Sequence, residues 1–222
     1  MKTPKYIEVF GKKGEITNAK NLISLDIDTK FGNLELKIMC IAQSIEYINL
    51  KIQSVWEKHY NIRNKIFNPI QSTLNSRDIP LMMRDSEVVI YFIKRTVDDM
   101  ICLIYILDYN FPEKIEIDSI GKLLSNRVDK NLKYLKEEYK DFLTLLNNLA
   151  NSYKHSFINY DKAYTAMGRD EPCILSVSLQ RNNLNNPMEF SSIALNEIVG
   201  KSQKFLSDTK EIVAKYKDKK LI

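Results

Sequence analysis

The sequence predicts a mainly α protein: a bundle of four long helices with a small β-hairpin elaboration. Two unbroken apolar stripes at helical spacing and one strongly apolar run supply most of the bundle. A later stretch alternates apolar and polar residues with the period of a strand. The whole chain of 222 residues reads as one domain, residues 1–222. It is long enough to bury about 70% of its unfolded surface, so no metal or disulfide is needed to hold a core. Apolar residues make up 44% and charged residues 27%, which excludes a disordered chain.

Residues 1–31 read as a mixed segment. Gly11-Lys12-Lys13-Gly14 can turn a hairpin between Tyr6–Phe10 and Ile16, and Ile23, Leu25 and Ile27 alternate with polar residues as in a half-buried strand. The first long helix is expected over residues 34–66. Its stripe is Leu34, Ile38, Ile41, Ile45, Ile48, Ile52, Val55, His59, Ile62 and Ile66, in alternating steps of four and three. Pro69 should end it, because proline disfavours helix in the residue before it.

A connector is expected over residues 67–85, with Pro69 and Pro80 inside it. The second helix should start at Asp85 or Ser86, both good N-caps, and run to about Tyr109. Its stripe of Ile93, Val97, Met100, Ile104 and Leu107 lies among further apolar residues, so it should be the most buried helix. The third helix is expected to be continuous over residues 121–155. Val128, Leu132, Leu135, Tyr139, Phe142, Leu146, Leu149 and Tyr153 line one face, and Lys130, Lys133, Lys136, Glu137, Lys140 and Asp141 the other. Residues 172–192 should form a hairpin turning at Asn182–Pro187, with Leu175, Val177 and Leu179 on the bundle. A last helix is expected from about Ser192 to Lys217, its stripe interrupted by Ser202 and Thr209.

The formal charge is +5 and the pI about 8.9, just below the level that flags a nucleic-acid surface by charge alone. The chain has 27 Ile, 26 Lys and 20 Asn but only 7 Arg and 7 Ala, a skew that fits an AT-rich bacterial genome. Cys40, Cys102 and Cys173 are too widely spaced for a metal ribbon. They read as reduced and structural, which fits a cytoplasmic protein. The N-terminus has no apolar signal-peptide core. The longest uncharged stretch, Phe142 to Tyr153, has 12 residues against the roughly 20 that a membrane span needs. No phosphate loop, dinucleotide fingerprint or nucleophile elbow is present. No cofactor, metal site or membrane contact is expected. Asp98, Asp99 and Asp108 read as ion-pairing residues, with Arg95 one turn from Asp99.

The candidate site is at the end of the third helix. His155 lies about 200° round the helix from Tyr153 and so leaves the core stripe. Asn148, Asn151 and Lys154 accompany it. Two amides can hold a phosphate or ribose, an ammonium can neutralise phosphate, and an imidazole can move a proton near neutral pH. As a bland alternative, Lys154 and His155 complement the negative end of the helix dipole. His59, by contrast, falls on a core stripe and reads as a buried histidine.

The string Asn151-Ser152-Tyr153-Lys154-His155, at the end of a bundle helix and followed by a hairpin, resembles the motif of HEPN-type helical bundles. That resemblance implies a bacterial defence or toxin–antitoxin setting. Active members are metal-independent ribonucleases using Arg, four to six residues and His. His155 matches the histidine, while Asn148, Leu149 and Ala150 stand where the arginine would be. Arg63 can supply that cation if consecutive helices pack antiparallel, since the first and third helices then run parallel. Two functions are weighed: an interaction module with a protein partner or a second copy of itself, and an RNA-cleaving enzyme. In the enzyme, His155 is general acid or base, Lys154 stabilises phosphate charge, and Asn148, Asn151 and Arg63 bind RNA. An exposed apolar patch favours the first, a basic cleft around His155 the second.

Overall fold

The computed structural model describes residues 2–67, 78–155, 170–179 and 188–217. The helices are α1 (Leu34–Phe67), α2 (Asp78–Asp108), α3 (Ile120–Ser125), α4 (Lys130–Glu138), α5 (Lys140–His155) and α6 (Leu195–Ala214). Strands β1 (Cys173–Leu179) and β2 (Met188–Ala194) form one antiparallel hairpin before α6, with Cys173 opposite Ala194 and Leu179 opposite Met188. The protein is therefore a mainly helical bundle with a two-stranded elaboration. Among the described residues, no helix is long and apolar enough to cross a membrane.

Helix α1 follows its Ile stripe to within a residue. Every stripe position from Leu34 to Ile62 is buried, His59 included at 4% exposure. Asn33 caps it, its side-chain oxygen accepting from the Leu36 N–H at 2.8 Å. Helix α2 is the central element and packs against α1, α3, α4, α5 and α6. It begins at Asp78, earlier than expected at Asp85 or Ser86. Pro80 does not break it, because N–H groups in a first turn have no partner within the helix. Ile79 and Met82 carry the apolar stripe back through that turn.

The expected continuous third helix is broken twice. Residues 126–129 are not helical, and Tyr139 leaves helical geometry at φ −110°, ψ 15°. The first break is tied to the end of α2. Lys130, at φ +49°, donates to the Asp108 carbonyl, Asn131 donates to the Asp108 carboxylate, and the Tyr109 hydroxyl donates to Asp129. At the second break the Tyr139 hydroxyl donates to Asp208 of α6, and its ring meets Phe205 edge-on at 5.1 Å. The stripe still faces one core, because Leu132, Leu135, Tyr139, Phe142, Leu146 and Leu149 are all buried.

The hairpin falls where the period-2 pattern predicts, but the expected inner face does not hold: Ile174, on the opposite face, is fully buried in the main core, and Leu175 and Ser176 are buried as well. The side chains of Val177 and Leu179 and the turn at Asn182–Pro187 lie outside the described residues. Strand β2 continues through Ala194, so α6 starts at Leu195, not Ser192. Ser202 and Thr209 sit fully buried on the α6 stripe, their hydroxyls satisfied by the Ile198 and Leu206 carbonyls of the same helix.

The N-terminal segment forms neither a hairpin nor a strand. Gly11 and Gly14 do turn the chain, at φ +124° and +84°. The extended backbone before them lies between α1 and α6 and takes its hydrogen bonds from side chains. Asn49 of α1, fully buried, accepts from the Ile7 N–H at 3.0 Å and donates to the Ile7 carbonyl at 2.8 Å. Asn196 accepts from the Lys5 N–H and donates to the Thr3 carbonyl. Gln203 accepts from the Glu8 N–H, and Lys210 donates to the Val9 carbonyl. Side-chain amides thus replace the missing partner strand, and Ile7 and Phe10 reach the core.

Asn49→Ala would leave the buried Ile7 N–H and carbonyl unpaired. The expected cost is about 2–3 kcal/mol in urea unfolding, larger than a typical single hydrogen bond. A loss below about 0.5 kcal/mol would show that the segment does not depend on this clamp.

Candidate functional site

The pairing of α1 with α2 positions every candidate residue. Asp85 of α2 is buried against α1, where its carboxylate accepts from Lys51 at 3.0 Å, Ser54 at 2.8 Å and Lys58 at 2.7 Å. Burial alone would raise the Asp85 carboxyl. The hydrogen bonds from Lys58, Ser54 and Lys51 outweigh it and hold the group below its ordinary value of 3.8. Further along, Tyr47 of α1 meets Phe92 of α2 with ring centres 4.9 Å apart. The two helices therefore run antiparallel, with the C-terminal end of α1 beside the start of α2.

The end of α5 adjoins the same part of α2, where the Tyr153 phenol senses the charge of Glu87. Burial first, and Glu87 second, push that phenol up. Its hydroxyl donates to the Leu175 carbonyl at 2.9 Å and docks β1 on α5. The C-terminal ends of α1 and α5 thus share one end of the bundle. Asn148 and Asn151 are exposed on α5, and Lys154 and His155 are its last two residues. The side chains of Lys154 and His155 lie outside the described residues. Arg63 donates to the Asp170 carboxylate at 2.7 Å and holds that carboxyl below its ordinary value. Asp170, Glu171 and Glu87 stand at this end beside Lys2, Lys58 and Arg63, so the described charges here are mixed rather than basic. Among the described residues, no cluster of His, Cys, Asp and Glu is arranged to hold a metal.

A second surface escaped the sequence reading. Seven of the nine large, exposed hydrophobic side chains among the described residues belong to α1 and α2. On α1 they include Leu36, Met39, Tyr47 and Leu50, the last 52% exposed. With Cys40 and Gln43 they fall within about 60° of the direction opposite the core stripe. None of these six positions is charged. On α2, Leu81 and Tyr91 are exposed, and Tyr91 packs edge-on against Phe92. Cys40, expected to be structural, is exposed on this face. The signal was present in the sequence as a second stripe of the same period, half a turn from the first.

Comparison with known protein families, with curated proteins and with solved structures finds no match. The site rests on its own geometry.

The Asp85 cluster makes a pH prediction. A carboxyl held low in the fold contributes stability above its ordinary value and loses it as pH falls through the folded value. Asp85→Asn should therefore lower the melting temperature at pH 7, and the gap from the parent should begin to close as pH falls below about 4. A gap that stays constant from pH 7 to pH 3 would contradict the assignment.

Proposed function

We propose that this chain is a HEPN-like α-helical interaction module that pairs with a second copy of itself through the outer face of α1 and α2. The supporting observation is the uncharged apolar stripe on α1, continued by Tyr91 and Phe92 on α2. Two copies of a chain with charge +5 repel elsewhere, and the uncharged stripe on α1 gives them a line of contact between the flanking cations Lys37, Lys51 and Arg95. Two antiparallel helices meeting an identical pair across a two-fold axis form a four-helix arrangement. The stripe from Leu36 to Leu50 is about 21 Å long and the helix pair about 20 Å wide. That is smaller than the roughly 800 Å² per partner of a standard interface, so association in the micromolar range is expected. The HEPN resemblance suggests the setting, a bacterial defence or toxin–antitoxin system in the cytoplasm. A neighbouring antitoxin or nucleotidyltransferase gene would support it.

Sedimentation velocity from about 1 to 200 µM should show a monomer–dimer equilibrium. Leu50→Glu and Leu36→Glu, both on exposed positions, should remove the dimer without lowering the melting temperature at about 1 µM, where the monomer dominates. A monomer at every concentration, or variants that associate like the parent, would overturn the reading.

The ribonuclease reading is supported by one observation: the α1 and α5 C-terminal ends share one end of the bundle, as that reading requires. In it His155 moves the proton of the 2′-OH, Lys154 meets the phosphate, and Asn148 and Asn151 hold the RNA. Arg63 would first have to release Asp170. On this reading RNA cleavage without added metal is abolished by His155→Ala while the melting temperature is unchanged. Cleavage that survives the substitution, or unfolding of the variant, would eliminate it.

A further inference from the structure

A groove of about 460 Å³ opens between the first turns of α1 and the last turns of α2. Its walls are mostly apolar: Phe31, Leu36, Ile41, Leu103, Ile106 and Ile115. The volume falls within the roughly 300–1,000 Å³ of small-molecule sites. Lys37, Arg95 and Asp99 supply its charge.

Among the described residues, the side chains of Lys37 and Arg95 make no hydrogen bond or ion pair, and both act on Asp99 only through space. Asp98, beside Asp99 in sequence, is already committed to Lys94 and to the Ile120 N–H. The groove therefore carries two uncommitted cations against one carboxylate. The capped N-terminal end of α1, at Asn33, adds the positive end of a helix dipole. Partial burial pushes the Asp99 carboxyl up, against the pull of Arg95 and ahead of the smaller effects of Asp98 and Lys37. Asp98 and Asp118 also stand near Cys102 but are paired with Lys94 and Lys122, so the unpaired lining charge is one net positive, which does not suit a polyanion such as a nucleotide. It suits a molecule with a single acid group.

We propose that this groove binds a small amphipathic monoanion, an acid group on an apolar body. Lys37 and Arg95 hold the acid group with charge-assisted hydrogen bonds, and the body lies on Leu36, Leu103 and Ile106. The site shares Leu36 and Cys40 with one end of the outer face, so a ligand there would compete with a second copy, but its chemistry does not depend on the dimer reading.

The native cysteines report occupancy. Cys40 is exposed and Cys102 half-buried in the groove, while Cys173 is buried in β1. Alkylation of Cys40 by N-ethylmaleimide can be timed by mass spectrometry in the full-length protein. 1-Decanesulfonate, an anion at every working pH, should slow it about tenfold at saturation, and decyltrimethylammonium should not. In the Lys37→Gln/Arg95→Gln double variant, protection should require about tenfold more sulfonate. In Asp99→Asn it should require less, an opposite shift that general damage to the fold would not produce. Absence of protection, equal protection by the cation, or protection unchanged in the double variant would overturn the proposal. Repeating the measurement on Leu50→Glu separates the two readings. Shielding of Cys40 without ligand, lost in Leu50→Glu, reports the dimer, whereas sulfonate protection that persists there reports the groove.

Discussion

One carboxylate fixes the register on which the rest of the structure depends. Asp85 of α2 meets three donors on α1, and those donors span two turns, from Lys51 to Lys58. Sliding either helix by one turn, about 5.4 Å, would draw Asp85 away from Ser54 and one of the two lysines and leave a buried charge only partly paired. With that register set, Tyr47 meets Phe92, Lys37 comes within range of Asp99, and the end of α1 lies beside the start of α2. The outer face, the groove and the shared end of α1 and α5 are three consequences of one alignment.

The bundle was legible because most of its order is periodic. The Ile stripe of α1 needs only that each fourth or third residue be apolar, and its burial is almost complete from Leu34 to Ile62. The hairpin was legible from alternation for the same reason. Periodicity is blind to the two breaks in the expected third helix. The stripe runs unchanged through Tyr139, and the breaks come from contacts distant in sequence: Lys130 and Asn131 with Asp108, and Tyr139 with Asp208. No proline or glycine marks either place. Pro80 misled in the opposite direction, since a helix start tolerates it.

The N-terminal segment was misread because its backbone partners are not a strand. Asn49, Asn196 and Gln203 are scattered polar residues on two helices, and nothing local marks them as clamps. The outer stripe of α1 was readable in principle, but the stronger Ile stripe masked it. The groove was not readable, because Phe31, Lys37, Asp99 and Ile115 meet only through tertiary packing. Of the candidate residues near His155, the structure adds a specific neighbour for Arg63, the Asp170 carboxylate, which the sequence did not suggest.

The functional account therefore turns on the outer face of α1. Its apolar residues are not needed for the core, which the opposite stripe already fills. Burying a few of them against an identical surface, over less area than a standard interface, suits weak association and not an obligate dimer. The most direct test is a solvent paramagnetic relaxation measurement on methyl-labelled protein at a concentration where the dimer should dominate. The account predicts that the methyl signals of Leu36, Met39 and Leu50 are shielded from a soluble gadolinium agent, while Ile27, 61% exposed, is strongly broadened. Broadening of Leu36, Met39 and Leu50 as strong as that of Ile27 would show that the face remains open to water and would contradict the account.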